Sequence, residues 1–331
     1  MGKHKVRIGF IGCGGISNGH ADRLLRNPDA EIVALNDIDP GRIKAFRERH
    51  PETEGCPTFT DYRDMLDSVE MDAVEIHTPH TLHFEQAMKA LERGLHVLVE
   101  KPMVCSSDHA KELISKAEET GRVLLVSYQR HYQPQFMYIK EMIDSGRLGE
   151  IQFISALQCQ GWKRATSGTW RQDPSLSGGG QVNDSGSHLI DIILWTTGLS
   201  PSEVSAFVDN LGTPVDINSA ISLKFSNGAQ GNISIVGDAP CWWEDITFWG
   251  SEGAIFYRNG RLVYVAHGRK PSEPKRFPPG SDPDTNFVNA ILGREEVRSP
   301  GICGLRVIEL TESIWEAGRD GNVVKVGGRS A

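Results

Sequence analysis

Apolar and polar positions follow two different rhythms along this chain. Over the first 127 residues, short β-branched runs alternate with stretches whose apolar residues recur at helical spacing, the mark of a parallel sheet covered by helices. The pattern predicts strands at Val6 to Ile11, Glu31 to Asn36, Ala73 to His77, His96 to Val99 and Val123 to Ser127. Asp39-Pro40-Gly41 opens one helix, a capping residue followed by Pro, and Ser106-Ser107-Asp108 opens another that ends near Gly121. The short connections suit right-handed βαβ crossovers.

After Gln129 the rhythm changes. Pro134 to Ser145 reads as a helix, and the triplet Gly178 to Gly180 precedes an apolar helical run through Leu189, Ile192, Ile193 and Trp195. From Ser202 to about Val265 the alternation has period two, with Asn-Gly turns at Asn227-Gly228 and Asn259-Gly260, so hairpins and an antiparallel sheet are expected. Helices over Asp284 to Gly293 and Leu305 to Gly318 follow, and Lys270 to Pro283 reads as a surface loop. The predicted fold is therefore α/β. Residues 1–127 form a dinucleotide-binding domain and residues 128–331 an α+β domain for substrate binding and oligomerisation.

Composition narrows the function. With 331 residues, 39% hydrophobic and 24% charged, the chain can bury a large core. Against 43 acidic residues stand 35 basic ones, and the net charge of −8 provides no footprint for nucleic acid or an anionic membrane. No window approaches the roughly 20 apolar residues of a membrane span, and the N-terminus runs into a strand without a secretory apolar region, so a cytoplasmic protein is expected. The six cysteines are scattered and form no C-x-x-C pair, which argues against a disulfide framework and against a structural zinc site, and no metal is expected.

Four clusters carry candidate chemistry. Gly12 and Gly14 fill the first two positions of G-x-G-x-x-G, with Ser17 in the third, and would let the backbone approach a pyrophosphate at a helix N-terminus. Asp37, about 20 residues on, is placed to accept from adenosine ribose hydroxyls; Ile38 beside it offers no cation to a 2′-phosphate, so NAD is favoured over NADP. The alternative for Asp37 is a helix cap, for which Asp39 is better placed. Thr78 and His83, just past one strand, and Glu100-Lys101-Pro102, just past another, lie at the carboxyl edge where such sheets bind ligands. Asp184 and His188 are four apart, with Asp191 about one turn further on. On one helix face, acids on both sides of a His could fix its tautomer and make it a general base for alcohol oxidation; the alternative is a solvated face with incidental pairs. Trp170 and Arg171 supply an apolar wall and a cation for a substrate, although a Trp serves equally well in a core.

Gly12-Cys13-Gly14-Gly15-Ile16, Thr78-Pro79, Glu100-Lys101-Pro102, Trp170-Arg171 and the glycine triplet followed by Asp184, Gly186, His188 and Asp191 together resemble the Gfo/Idh/MocA oxidoreductases. The resemblance implies a Rossmann domain followed by an open-faced, mostly antiparallel sheet that assembles homodimers or homotetramers. It implies NAD held by Gly12, Gly14, Gly15, Ile16, Asp37, Thr78, His83, Glu100 and Lys101, with Arg130 near the nicotinamide. Lys101 would contact the reacting hydroxyl, His188 would act as acid/base and Asp184 would support it. Sugars, cyclitols or related polyols are the implied substrates, bound by Lys101, Trp170, Arg171, Asp184 and His188. Two alternatives stay open: a glycosidase that uses NAD transiently, and a cofactor-sensing regulator on the same fold.

Overall fold

The computed structural model describes residues 5–327. The chain divides into two compact units. The first takes in the chain up to Val104, Asp108–Gln129 and Ser281–Gly304; the second takes Cys105–Ser107, Arg130–Gly280 and the chain from Leu305 onward.

The first unit is built on six parallel strands, β1 (Val6–Ile11), β2 (Ala30–Asn36), β3 (Thr58–Phe59), β4 (Ala73–Ile76), β5 (His96–Val99) and β6 (Leu124–Val126), in spatial order 3-2-1-4-5-6. That order reverses between β1 and β4, and a doubly wound sheet binds its ligand at the carboxyl ends of the strands flanking such a point. Helices α1 (Ser17–Leu24), α2 (Pro40–Arg49), α3 (Tyr62–Ser68), α4 (His83–Glu92) and α5 (Ser107–Thr120) connect the strands. α1 buries Ser17, His20, Ala21 and Leu24, a stripe at i, i+3, i+4 and i+7. Asp39 caps α2 by accepting from the Gly41 amide at 2.8 Å.

A single boundary near residue 128 does not describe this unit, because the chain returns to it. In the second unit α6 (Pro134–Asp144), α7 (Trp162–Ala165), α8 (Pro174–Ser177) and α9 (Gly186–Thr197) come first. α10 (Pro283–Ile291) then belongs to the first unit again, with Phe287 and Val288 fully buried among Val6, Ile8, Phe10 and Leu125. Burial of side chains of this size is worth about 1.5–3 kcal/mol each. The Val126 amide donates to the Ser299 carbonyl at 2.9 Å, which extends the sheet edge with the returning segment. α11 (Gly301–Asp320) closes the helical part of the chain.

The second unit carries an eight-stranded sheet of β7 (Ile151–Cys159), β8 (Pro201–Asp209), β9 (Asn218–Phe225), β10 (Gln230–Val236), β11 (Trp243–Gly250), β12 (Gly253–Arg258), β13 (Arg261–Ala266) and β14 (Val324–Lys325), in spatial order 13-12-11-7-10-9-8-14. All neighbours are antiparallel except β7 and β10. β7 was not apparent in the sequence: Ile-Gln-Phe-Ile-Ser-Ala-Leu-Gln-Cys puts a buried Gln158 among its inward residues and blurs the period of two. The inward residues Ile221, Leu223, Phe225, Ile233, Ile235, Ile246 and Phe248 form the core of this half. Phe207, Trp243 and Trp249 are exposed, Phe207 by 83%.

His96, at the start of β5, accepts the Val123 amide on Nδ1 at 2.9 Å, which requires an unprotonated nitrogen. Burial first, and then the nearby Arg122 charge, lower its pKa to about 4, against an unfolded value of about 6.5. The unfolded chain therefore binds the extra proton first. The stability this residue contributes is complete above about pH 6.5 and is lost as pH falls toward 4. Thermal melts from pH 7.5 to 5 are expected to show a falling Tm, with a shallower slope in His96→Asn; identical slopes would remove His96 from the acid response.

Candidate active site

The glycine-rich turn follows β1. Gly12 has φ +96°, and a Cβ there would lie 3.0 Å from the His77 backbone, so only glycine allows β1 and β4 to end side by side. No atom lies within 4 Å of where a Cβ would sit on Gly14 or Gly15, leaving that side of the turn open. Ser17, the third position of the motif, is buried and donates its hydroxyl to the Gly14 carbonyl at 2.7 Å, so the departure from Gly or Ala braces the turn. The first turn of α1 has no side-chain cap; the Gly19 amide donates to the Ile16 carbonyl at 3.1 Å, and the helix start is of the kind that receives an anion. Ile16 is half exposed beside it.

Asp37 is 5% exposed and accepts the Cys13 amide at 2.9 Å and the Asp39 amide at 3.0 Å. It does not cap α2, since Asp39 does so. Two backbone bonds still leave lone pairs on a carboxylate, and Ile38 beside it is 86% exposed. An open glycine turn, an uncapped helix start and an acid at the end of β2 fit a dinucleotide.

The turns after β4 and β5 are tied together by His83. Its Nδ1 lies 2.8 Å from the Pro102 carbonyl and its Nε2 2.9 Å from the Thr78 carbonyl, and the ring is fully buried. Burial lowers the pKa of this ring, and a neutral imidazole carries one N–H, so His83 donates to one of these carbonyls and packs against the other between the two turns. Thr78 donates its hydroxyl to Gln86 at 2.6 Å. Glu100 likewise points inward, accepting from His20 Nε2 at 2.9 Å and from the Lys101 amide at 3.1 Å. Burial pushes its pKa up, but the His20 bond and charge and the Lys101 charge outweigh burial and hold it below the usual carboxylate range. Glu100 therefore positions Lys101.

His20 was not singled out from the sequence. Besides Glu100 it meets Asp284 of α10, with Nδ1 2.8 Å from Oδ1. Burial opposes its charge, yet Asp284 and Glu100 hold its pKa up at about 10, so it is an imidazolium donating to both acids at neutral pH. Arg23 pairs with the second Asp284 oxygen. A helix-face His followed far downstream by an acid gives no local signal, so only the folded chain identifies this pair.

In the second unit Asp184 lies two residues before α9 begins, in the turn that leads into the helix carrying His188. Its Oδ2 accepts from Trp162 Nε1 at 2.8 Å and from Arg171 Nε at 3.0 Å. Arg171 in turn stacks over the Trp170 ring, 4.5 Å from its centroid. The structure thus brings Trp170, Arg171 and Asp184 together and adds Trp162, while His188 sits half-buried in the first turn of α9. Asp191, expected to bracket His188, accepts instead from His131 at 2.8 Å, and His131 stacks on Trp195. Arg130, expected near the nicotinamide, is 7% exposed and pairs with Glu244 at 2.6 Å, so its charge is already answered inside the unit.

The glycine triplet serves packing. A Cβ on Gly180 would stand 2.0 Å from the Asp216 carbonyl and one on Gly179 2.4 Å from the Trp315 ring. Asp216 accepts the Gly180 and Val182 amides, each at 2.8 Å, and Trp315 Nε1 at 2.9 Å. This buried acid fixes the segment that leads to Asp184 and His188.

A switch-point crevice with an open glycine turn defines the first unit as a dinucleotide-binding domain. Residues 6–128 match the family model described as "Oxidoreductase family, NAD-binding Rossmann fold", and residues 136–256 match the "GFO/IDH/MocA C-terminal domain". The chain belongs to the Gfo/Idh/MocA family of NAD-binding oxidoreductases. Among curated relatives, the 1-carboxy-3-chloro-3,4-dihydroxycyclohexa-1,5-diene dehydrogenase of Comamonas testosteroni is 27% identical over 249 residues, which cover 75% of this chain but only 62% of that protein. The scyllo-inositol 2-dehydrogenase (NAD(+)) of Bacillus subtilis strain 168 is 28% identical over 80% of this chain and 77% of its own. Among solved structures, the WlbA dehydrogenase of Bordetella pertussis in complex with NADH and UDP-GlcNAcA superposes with a TM-score of 0.84 at 25% identity, covering 98% of this chain and 99% of that one.

Proposed function

We propose that the protein oxidises a secondary alcohol of a sugar, cyclitol or related polyol, or reduces the matching ketone, with NAD as cofactor. The observation that carries this reading is the placement of Lys101 at the carboxyl end of β5, held by Glu100 beside the switch point. Relatives named for inositol, levoglucosan and D-glucoside oxidation support the substrate class. When bound, NAD supplies the hydride acceptor at its nicotinamide. The first unit serves the cofactor, with Asp37 receiving the adenosine ribose, and the second serves the substrate and oligomerisation. A cytoplasmic location agrees with cysteines that form no disulfide.

Each chain group has a distinct task. Lys101, as a cation, stabilises alkoxide character on the substrate oxygen. His188 starts neutral, takes the hydroxyl proton, and returns it in the reverse direction. Asp184 positions Arg171 and Trp170 against the polyol. Phe207, Trp243 and Trp249 lie on an outward sheet face that a second copy of the chain would cover, giving a homodimer or homotetramer.

A panel of inositols, hexoses and glycosides with NAD, followed by NADH absorbance, tests the reading; no reduction with any polyol or glycoside would refute it. With an active substrate, His188→Ala is expected to lower kcat by about 10²- to 10⁴-fold with NADH affinity nearly unchanged. Lys101→Ala is expected to lose a similar factor, and the double variant less than the product of the two if both act on one oxygen. Asp37→Ser with Ile38→Arg is expected to shift preference toward NADP. It should also weaken both cofactors, because the Cys13 and Asp39 amides lose their acceptor; an unchanged NADH to NADPH affinity ratio would take Asp37 out of the ribose contact. Light scattering is expected to report an oligomer that Phe207→Glu with Trp249→Glu dissociates, and a wild-type monomer at micromolar concentration would count against the interface.

A further inference from the structure

Inside the first unit, His20, Glu75 and His77 form a cluster that the reaction above does not use. Glu75 sits in the middle of β4 and His77 one residue past its end. Positions i and i+2 of an extended chain project to the same face, so both face His20 on α1. Glu75 is 0% exposed, and neither of its oxygens has a hydrogen-bond partner. Neither ring nitrogen of His77, which is also buried, has one. A buried carboxylate and a buried imidazole left idle side by side are costly in a protein interior and call for an occupant.

The spacing indicates which one. Glu75 Oε2 lies 3.5 Å from His20 Nδ1 and 3.5 Å from His77 Nε2, with all three donors within 4.8 Å of one another. These separations are long for hydrogen bonds. They match the edge of a ligand tetrahedron, since metal bonds of about 2.0–2.1 Å at tetrahedral angles set donors about 3.4 Å apart. We propose that His20, Glu75 and His77 bind one divalent transition metal of the zinc class at a buried, structural site in the nucleotide-binding unit.

The surroundings fit this assignment. Two imidazoles and a carboxylate suit zinc better than magnesium or calcium, which favour all-oxygen shells. Asp284 Oδ1 lies 2.8 Å from His20 Nδ1, so the carboxylates of Glu75, Asp284 and Glu100 together balance Arg23 and a dication. On binding, the Nδ1–H bond of His20 breaks, its proton leaves to solvent, and the nitrogen lone pair goes to the metal. The Nε2–H stays on Glu100 at 2.9 Å, the carboxylate behind the histidine that orients metal-bound imidazoles. Because Glu100 also holds the Lys101 amide, an occupied site would stiffen the edge that presents Lys101. The cysteines point to no zinc site, and this one uses none of them.

The test uses the full chain, purified without chelator, and the same protein after dialysis against one. Elemental analysis is expected to find about one zinc per chain before dialysis or after re-addition of Zn²⁺ alone, and Co²⁺ in its place is expected to give the visible absorption of a tetrahedral site. Glu75→Gln and His77→Gln are expected to lose both signals while keeping wild-type circular dichroism and NADH binding. Zinc is expected to raise the Tm of wild type and leave that of Glu75→Gln unmoved. Should His77→Gln fail to fold, Glu75→Gln decides, since it replaces one oxygen by an amide and removes an idle buried acid. The proposal is overturned if wild type binds no stoichiometric metal in excess Zn²⁺, or if Glu75→Gln binds zinc as wild type does.

Discussion

The first unit depends on one buried charge triad. As an imidazolium, His20 donates to Glu100 through one nitrogen and to Asp284 through the other, and all three are withdrawn from solvent. Removing one partner from a buried charged group leaves the others uncompensated, typically at several kcal/mol. The triad therefore fixes three elements at once: the helix that follows the glycine turn, the end of β5 that carries Lys101, and the segment that returns near residue 284. Gly12 and His83 then set details within a frame the triad already holds, Gly12 by letting two strand ends meet and His83 by bridging two turns.

The second unit applies the same physics with backbone donors. Asp216 collects two amides and an indole N–H, and Asp184 an indole and a guanidinium. Each acid converts a loop that has no regular hydrogen-bond ladder of its own into a defined surface. The segment from Gly178 to Gly186 is held by these bonds, and Gly179 and Gly180 are needed because Trp315 and Asp216 press against them. Arg171 takes its position from Asp184 and Trp170 stacks against Arg171, so the groups proposed to meet the substrate in this half are aligned by an acid.

Much of this was legible in the chain. The alternation of β-branched runs with helices gave the Rossmann strands nearly to the residue, and Asp39-Pro40 marked its helix correctly. Strong local signals explain the success: caps, Asn-Gly turns and glycine-rich turns act within a few residues. The illegible parts depend on distant partners. β3 is two residues long and β7 buries a glutamine, so neither shows a period. Asp184 precedes the helix that carries His188, and Asp191 finds His131 some 60 residues earlier in the chain. His83 and Glu100 follow their strands as the sequence places them, yet these two and Arg130 each meet an internal partner that spacing cannot reveal.

The return of Ser281–Gly304 to the first unit bears on how the protein is made. A ribosome delivers the glycine turn, Asp37 and Lys101 early, but Asp284, Phe287 and Val288 emerge only after β7 to β13 have been synthesised. Until then the nascent nucleotide-binding unit holds His20 without one of its acids and an apolar surface without its cover. Vectorial synthesis therefore leaves this unit unfinished until the chain is nearly complete, and domains that seem separable by sequence must mature together.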